Sequence, residues 1–354
     1  MKKTSRLFVL ALALALVAVM AFPAASPQPA QAQGGSVLDQ VLARGSLNCG
    51  VNGQLPGFGY LDTNTSEWSG LDVDFCRAIA AALFGEVTPE NLIFVPTTAQ
   101  ERFTAVQTGT VDVLLRNATW TLQRDTELGL DLGPVVFYDG QGLMVRADSG
   151  ATTAADLGGA SICTLTGTTT ALNISELMGS LGLEYELVVF EQASQTIAAL
   201  EEGRCDALTS DRSQLASLRT TAADPGAYII LDDVISKEPL APAYIETDAK
   251  WANVVSWVVY ATIQAEEFGI TQADVDSFLT SEDPAIQRFL GVGENVSGTL
   301  LGLDNDFVVN VIRAVGNYGE IYERNVGPNT PLALDRGINN LWTNGGLIYA
   351  PAWR

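Results

Sequence analysis

Polar side chains follow three apolar segments of this chain, at the points where a strand would end. Asn117, Thr119 and Arg124 come after "VDVLL", and Asp211 comes after "CDALTS". The third segment, "SICTL", leads into "TGTTTALN", a turn of glycine and hydroxyl residues that opens a helix whose free backbone N–H groups suit an anion. Arginine binds a carboxylate through two parallel hydrogen bonds, and aspartate accepts hydrogen bonds from an ammonium group. Together these residue types would complement an α-amino acid, which carries both charged groups.

Each of these signals also has a purely structural interpretation. Arg124 could lie in a surface turn and pair with Asp125 or Glu127, because most charged side chains are solvated. Asp211 could cap the segment "SDRSQL", and "TGTTT" could be an ordinary turn and helix cap. The placement of polar groups at corresponding strand ends is what favours a shared binding site.

The segments around these residues alternate between strand and helix patterns. "LNCGV", "LIFVP" and "VDVLL" predict strands, and "AQERFTAVQTG" predicts a helix that ends at Gly109. "DVDFCRAIAAALFG" predicts a helix that Gly85 stops, with Asp72 and Asp74 as helix-start residues rather than a functional pair. This alternation indicates α/β units around a parallel sheet, in which ligands bind beyond the carboxyl ends of the strands.

A weak internal repeat predicts two α/β lobes of related construction. "FTAVQTGTVDVLLRN" and "IAALEEGRCDALTSD" share an amphipathic helix, a stopping glycine, an aspartate and a strand. The pattern breaks near residues 138–142 and 236–241, where two crossings would form a hinge. We therefore expect residues 33–140 and 239–354 to form lobe 1, the latter with a C-terminal helical extension, and residues 141–238 to form lobe 2.

The N-terminus has the composition of an export signal. Lys2, Lys3 and Arg6 precede an apolar run over residues 7–22, which is shorter than the roughly 20 residues of a membrane-spanning helix. Small residues at Ala30 and Ala32 then offer a cleavage site. We expect residues 1–32 to be a cleavable signal peptide and the mature protein to be periplasmic; an uncleaved membrane anchor is the alternative.

The composition excludes several functions. The formal net charge of −22 opposes nucleic acid binding. The sequence contains no histidine, which removes Ser-His-Asp and Cys-His catalysis and the commonest zinc ligands. We predict no metal, no cofactor and no catalytic residue. The four cysteines have no CxxC spacing, and three disulfide pairings are open to them; unpaired buried cysteines are the alternative.

Long, irregular motifs give the chain a family resemblance over residues 37–354. They include "GVNGQLPGF", "GLDVDFCRAIAAALFG", "VDVLLRNATWTLQRDTELGL", "SICTLTGTTTALN", "GRCDALTSD" and "LGLDNDFVVNVIRAVGNYGEIYERNVG". With them the chain resembles the periplasmic substrate-binding proteins of polar amino acid ABC transporters, most closely the general L-amino acid-binding branch of solute-binding protein family 3. The resemblance implies an α/β, two-lobed type II periplasmic binding protein fold, with a parallel-rich sheet in each lobe and a two-stranded hinge. It also implies the disulfides Cys49–Cys76 and Cys163–Cys205.

The same resemblance implies roles for the polar residues at the strand ends. Arg124 would bind the ligand's α-carboxylate, with help from Thr119 and from the backbone of Thr168 and Thr169. Asp211 would accept from the α-ammonium, and the backbone near Asn117 would assist.

Residues around this head-group site would set the specificity. Arg116 would either reach an acidic or polar ligand side chain or pair with an acidic surface neighbour. Many narrow-specificity relatives hold the ligand between aromatic rings, whereas this chain has Leu55 and Ala99 at the comparable positions. Phe58 and Trp120 could partly substitute, and a broader pocket is expected.

The expected function is extracytoplasmic binding of L-amino acids, of broad or polar specificity, and their delivery to the permease of an ABC transporter. We expect a monomer that is not an enzyme. The alternative is a secreted enzyme of the same fold, such as a dehydratase acting on a small carboxylate, which would need a general acid or base such as Glu101 or Asp211.

Overall fold

The computed structural model describes residues 35–294 and 297–354 of the chain. The predicted signal peptide lies outside the described residues. Within these ranges, every helix is either too short or too polar to traverse a lipid bilayer.

The described residues form fifteen strands and twelve α-helices, numbered here in chain order. The strands are β1 Leu47–Val51, β2 Gln54–Leu55, β3 Gly59–Asp62, β4 Glu67–Ser69, β5 Leu92–Pro96, β6 Val113–Leu114, β7 Leu130–Leu132, β8 Phe137–Asp139, β9 Gln141–Arg146, β10 Ser161–Leu165, β11 Glu186–Phe190, β12 Ala207–Asp211, β13 Tyr228–Ile230, β14 Glu238–Leu240 and β15 Ala243–Ile245. The helices are α1 Val37–Arg44, α2 Leu71–Phe84, α3 Arg102–Gln107, α4 Leu122–Glu127, α5 Thr169–Leu181, α6 Ala193–Glu201, α7 Arg212–Thr221, α8 Ala249–Phe268, α9 Pro284–Phe289, α10 Ser297–Leu301, α11 Phe307–Val315 and α12 Tyr318–Asn325.

Two five-stranded sheets organise these elements. The first has the order β5-β1-β6-β15-β7, and the second has the order β11-β10-β12-β9-β13. In each sheet the first three strands are parallel, whereas the fourth runs antiparallel to both of its neighbours. The matching orders agree with the repeat seen in the sequence. The polar residues predicted from the sequence follow β6, β10 and β12. The carboxyl ends of these strands lie at the edge of each sheet where ligands bind in such folds.

A two-stranded antiparallel pair forms the hinge between the sheets. Strand β8 precedes the second sheet in the chain and β14 follows it, and the two pair through Tyr138 and Pro239. These are the two places where the sequence pattern breaks. The limits predicted for the lobes themselves stay a prediction.

Helix α2 is buried on nearly every side, which explains its alanine-rich composition. Phe75 and Ile79 are fully buried, and the helix ends at Gly85, as predicted, where φ is +78°. Alanines let other elements approach closely, and α11 of the C-terminal segment packs on α2 while also contacting α8. This C-terminal packing closes the core of the first lobe.

Two disulfides tie strands to neighbouring segments. Cys49–Cys76 joins β1 to α2. Cys163–Cys205 joins β10 to the loop before β12, two residues from the start of that strand. They are the pairs that the resemblance implies. Each disulfide lies within one sheet and its helices, so neither restricts motion about the hinge.

Candidate functional site

Residues from both sheets enclose a small cavity where their strand ends meet. Its volume is about 10 Å³, roughly the room that one water molecule requires. Six of the seven predicted ligand-binding residues line it, and Arg124 lies beside it. The lining residues are Arg102, Arg116, Asn117, Thr119, Leu165, Thr168, Thr169, Thr170, Ser210, Asp211 and Gln214.

Arg124 is buried rather than exposed in a surface turn. It lies in α4, where the hydroxyl of Thr121 accepts a hydrogen bond from its backbone N–H at 3.2 Å. Its guanidinium stacks over the ring of Phe103 and donates to the carbonyl of Thr119 at 2.8 Å. No described carboxylate lies within ion-pair distance of it, so the pairing with Asp125 or Glu127 is wrong. The remaining donors of the guanidinium are therefore available to a ligand.

Asp211 ends β12 and stands at the N-cap position of α7, yet its side chain makes no capping hydrogen bond. Burial raises the pKa of Asp211 well above its usual range, and the carboxylates of Asp139 and Glu238 raise this pKa further. The positive charge of Arg102 and a hydrogen bond from Asn117 act in the opposite direction. A ligand ammonium beside Asp211 would supply the missing counter-charge.

Glu238 of hinge strand β14 links the hydroxyls of both lobes, a role that the sequence did not reveal. Its buried carboxylate accepts from Thr119 at 2.6 Å and from Thr169 at 2.9 Å. It also accepts from Asn173 of α5 and from Ser236. Thr119 and Thr169 are thereby held at the cavity wall by one hinge residue.

Helix α5 begins at the cavity, as "TGTTTALN" predicts. Thr168 is its N-cap, and the hydroxyl accepts from the backbone N–H of Ala171 at 3.3 Å. The same hydroxyl donates to the carbonyl of Leu165 at 2.7 Å. The glycine in the turn, Gly167, has φ of +69°, a conformation that other residues rarely adopt. Thr168 and the first two residues of α5, Thr169 and Thr170, line the cavity.

Asn117 carries the contact between the lobes at the base of the cavity. Its side-chain amide donates to Gln214 of α7 at 2.8 Å, and its backbone N–H donates to Asp72 at 3.1 Å. Its φ of +28° is unusual for a residue other than glycine. Burial raises the pKa of Asp72 to about 6, against the effects of the Asn117 N–H and the Arg116 charge. Asp72 therefore supports the cavity wall in addition to beginning α2.

Arg116 faces the cavity, and the structure gives it no acidic surface partner among the described residues. Its Nε donates to the carbonyl of Thr97 at 2.9 Å, and only 4% of the residue is exposed. Burial lowers its pKa to about 10, while Asp72 and Asp211 oppose this change. Arg116 also lines a neighbouring cavity of about 230 Å³ together with Gln54, Glu101 and other polar residues of both lobes.

Arg102, like Glu238, is a residue of the site that sequence reasoning missed. It is 3% exposed, and its Nε is the one described buried side-chain polar atom with no hydrogen-bond partner. Its Nη1 makes only long hydrogen bonds, 3.4 and 3.3 Å, to the carbonyls of Arg116 and Asn117. Burial lowers the pKa of Arg102 well below its usual range, and the charges of Arg124 and Arg116 lower it further. An arginine on the apolar face of α3, beside Ala105 and Val106, was the available signal.

Three arginines thus converge on one buried cavity without a salt bridge among the described residues. Uncompensated buried charge is costly, and the nearby carboxylates of Asp72, Asp211 and Glu238 offset it only in part. An anionic group of a ligand would neutralise the remaining positive charge.

The two aromatic side chains considered as a ligand sandwich do not line the cavity. Phe58 is fully buried and packs edge-on against Phe137 in the core. Trp120 is 38% exposed and lies over Gly133. The expectation that they substitute for the missing rings is wrong, and the cavity wall is polar instead.

Polar contacts close the cleft from lobe to lobe. The amide of Gln54 donates to Gln192 at 2.8 Å, and the hydroxyl of Ser217 donates to the carbonyl of Pro56 at 2.6 Å. The carboxylates of Glu238 and Asp211 also accept hydrogen bonds from Thr119 and Asn117 of the first lobe, but no ion pair among the described residues crosses the cleft. Such contacts are readily exchanged for water, so the cleft can open without separating buried ion pairs.

Comparison with known proteins places this geometry among binding proteins. A family model described as bacterial extracellular solute-binding proteins, family 3, matches residues 47–173. The general L-amino acid-binding periplasmic protein AapJ of Rhizobium johnstonii is 50% identical over 326 residues, covering 92% of this chain and 95% of that protein. The glutamate/glutamine/aspartate/asparagine-binding protein BztA of Rhodobacter capsulatus is 45% identical over 326 residues, covering 92% and 95%.

A solved structure agrees with the predicted fold. The periplasmic binding protein of an ABC transporter from Brucella ovis, with glutathione bound, is 48% identical and superposes with a TM-score of 0.87. The match covers 91% of this chain and 100% of that chain. The two-lobed type II fold and the resemblance to amino acid-binding proteins are thereby confirmed.

Proposed function

The chain belongs to family 3 of the bacterial extracellular solute-binding proteins, and we propose that it binds L-amino acids in the cleft between its lobes for an ABC transporter. Its site of action is the periplasm, and its partners are the amino acid and the membrane permease. It acts as a monomer and leaves its ligand chemically unchanged.

The charged head group of the ligand is held from both lobes. Arg124, fixed by Thr119 and Phe103 on the first lobe, binds the α-carboxylate with its free donors. The N–H groups at the start of α5 and the hydroxyl of Thr169 assist from the second lobe. Asp211, whose carboxylate is not used as a helix cap, accepts from the α-ammonium.

The ligand enters an opened cleft. A cavity of about 10 Å³ cannot admit an amino acid, so the lobes must separate about the hinge strands and close again on the ligand. Closure gains free energy from the buried charge pairs that only the ligand completes.

The preferred ligands carry a second carboxylate. The single observation that carries this proposal is the unpaired, buried Nε of Arg102, which lines the cavity with Arg116 and whose guanidinium shares the Phe103 ring with Arg124. A side-chain carboxylate reaching the guanidiniums of Arg102 and Arg116 would satisfy the orphaned donor and offset two buried charges. BztA, whose name gives glutamate and aspartate together with glutamine and asparagine, is a relative that takes acidic ligands among others.

A γ-linked peptide such as glutathione is a second candidate. The cavity of about 230 Å³ next to Arg116 extends the cleft beyond the head-group site. Its walls, with Gln54, Glu101 and Gln192, are polar and come from both lobes. The Brucella ovis protein was solved with glutathione bound. An extended ligand would keep its head group on Arg124 and fill this second cavity.

Calorimetric titration of ligand-free mature protein tests the proposal. The panel is L-glutamate, L-glutamine, L-alanine and glutathione, and a long incubation with each checks that the ligand is recovered unchanged. Glutamate is expected to bind most tightly, and binding is expected to disappear in Arg124→Ala. The exposed Arg204→Ala variant is the control. Failure of every amino acid to bind, or conversion of one to a product, would overturn the proposal in favour of an enzyme.

A further inference from the structure

A large cavity lies against the hinge and shares no lining residue with the small cavity that contains Asp211 and Thr119. Its volume is about 630 Å³, within the range of roughly 300–1,000 Å³ that is usual for small-molecule sites. One wall is hinge strand β8, a second is helix α7, and a third is the C-terminal segment around residues 332–339. The sequence motifs gave this C-terminal segment no function.

The C-terminal wall is firmly attached to the hinge strand. The side chain of Asn339 accepts from the backbone N–H of Tyr138 at 2.7 Å and donates to its carbonyl at 3.0 Å. Arg336 pairs with Glu266 of α8 at 2.5 Å and stacks over two tyrosine rings. Arg336 is therefore fully engaged, and it holds this wall in place rather than facing a ligand.

Cations that lack a partner face the same cavity. The guanidinium of Arg219, half-buried at the end of α7, makes no ion pair or hydrogen bond with the described residues, and neither does the ammonium of the exposed Lys237. Arg212 uses one nitrogen for the carbonyls of Leu231 and Asp233, at 2.6 and 3.2 Å. In a chain with a net charge of −22, two cations without a partner and a third bonded only to carbonyls are an unusual concentration of positive charge on one cavity.

Two carboxylates also line the cavity, and neither neutralises these cations. Asp139 is occupied by the backbone N–H groups of Gly140 and Ser213, at 2.8 and 3.2 Å. Asp335 is exposed and forms no ion pair with the described residues. The excess of positive charge in this cavity favours the binding of an anion near Arg219 and Lys237.

We propose that this hinge cavity is a second binding site, for a small oxyanion such as a phosphate or a dicarboxylate, and that its occupancy is coupled to closure of the amino acid cleft. Arg219 and Arg212 would bind the anion from α7, and Lys237 would bind it from the hinge. Helix α7 moves with the second lobe, because Asp211 precedes its first residue, whereas the C-terminal wall is attached to α8 through Glu266. An anion between these walls fits one hinge angle best, so it shifts the population of the closed form.

Coupling of this kind is reciprocal. If the anion changes the affinity for an amino acid by some factor, the amino acid changes the affinity for the anion by the same factor. The existence of the anion site does not depend on the proposed function, whereas the coupling rests on it.

Titration of inorganic phosphate, and separately of succinate, tests the site. Ionic strength is held constant with sodium chloride, and the cleft is saturated with L-glutamate so that succinate cannot occupy it. The variants are Arg219→Gln and Lys237→Gln, with Arg204→Gln as the control, since it removes the same charge from the exposed surface of the same lobe. Melting curves check that each variant folds.

We expect phosphate or succinate to bind the wild type and Arg204→Gln equally. Binding should weaken roughly tenfold or more in Arg219→Gln, the loss expected for one charge-assisted hydrogen bond. The anion that binds more tightly shows whether the site prefers a phosphate or a dicarboxylate. No binding of either anion, or equal binding by Arg219→Gln and Arg204→Gln, would overturn the site.

The coupling is read from glutamate titrations with and without saturating anion. We expect the affinity for glutamate to change at least threefold in the wild type and to be unchanged in Arg219→Gln. Anion binding without any such change would overturn the coupling. If glutamate does not bind at all, the proposed function fails, while a phosphate titration without glutamate still decides the anion site.

Discussion

Replacing Arg102 with glutamine tests how the cleft distinguishes acidic from apolar ligands. The substitution removes one guanidinium whose Nε has no partner, and it leaves Arg124 on the head group. A hydrogen bond to a charged group contributes about 1.5–3 kcal/mol, so the affinity for L-glutamate should fall roughly tenfold to hundredfold. The affinity for L-alanine, which has no side-chain carboxylate, should change much less.

Arg102→Gln should also weaken the binding of every ligand by a smaller amount. The reason is that the charge of Arg102 lowers the pKa of Asp211 and so favours its ionised form. The L-alanine titration measures this common part, and the difference between the two ligands isolates the side-chain contact. Arg313→Gln is the matched control, since it removes the same charge from an exposed ion pair with Asp276. Equal losses for glutamate and alanine in Arg102→Gln would refute the assignment of Arg102 to the side-chain carboxylate.

Three further predictions concern buried charge and covalent bonds. Burial raises the pKa of Asp72 to about 6, above its unfolded value of roughly 4, so the stability linked to it is present below pH 4 and lost as the pH rises through 6. Asp72→Asn should raise the free energy of unfolding at pH 7 by about 3 kcal/mol and flatten its change between pH 4 and 6; an unchanged profile in urea titrations would contradict this. The pKa of Asp211 is raised well above its usual range, so amino acid binding should release a proton and weaken as the pH falls. Calorimetry in buffers of different ionisation enthalpy should detect this proton release, and identical binding heats in all buffers would rule it out. The disulfides span 27 and 42 residues, so removing either one by paired Cys→Ser substitution should cost about 3–4 kcal/mol of stability; denaturant midpoints equal to the wild type would show that they contribute little.

Much of the scaffold could be predicted from local patterns. The helix of residues 71–84 was visible because apolar positions recur along it and Gly85 ends it. The hinge was visible as two interruptions of the strand–helix alternation, which the structure shows as the pair β8 and β14. These features depend on residues that are near one another in the sequence, and backbone geometry and burial determine them directly.

The long-range contacts of the site could not be predicted in this way. Glu238 lies 119 residues from Thr119 and 69 from Thr169, yet its carboxylate accepts hydrogen bonds from both. Nothing in "ISKEPL" marks this glutamate as buried. Arg102 lies on the apolar face of a short helix, which is a weak signal, and tertiary packing is what buries its guanidinium near Arg116 and Arg124.

Local interpretations were also overturned where packing outweighs solvation. Arg124 has acidic neighbours at positions 125 and 127 of the sequence, and a surface ion pair was the simpler expectation. In the structure it turns inward onto Phe103 and Thr119 instead. Asp211 occupies a cap position, and yet its side chain makes no cap. Both side chains keep hydrogen-bonding capacity that the fold itself does not use.

The most direct test of the head-group clamp changes the ligand and the protein together. L-Glutamate, N-acetyl-L-glutamate and the α-amide of L-glutamate are titrated into the wild type, Arg124→Ala and Asp211→Ala. The clamp predicts that Asp211→Ala weakens glutamate binding but hardly affects the N-acetyl derivative, and that Arg124→Ala does the same with the α-amide. Each coupling should amount to at least about 1.5 kcal/mol, roughly tenfold in affinity. The central claim is that Arg124 holds the α-carboxylate and Asp211 the α-ammonium. It would be contradicted if the changes in binding free energy caused by the protein substitution and by the ligand modification were additive.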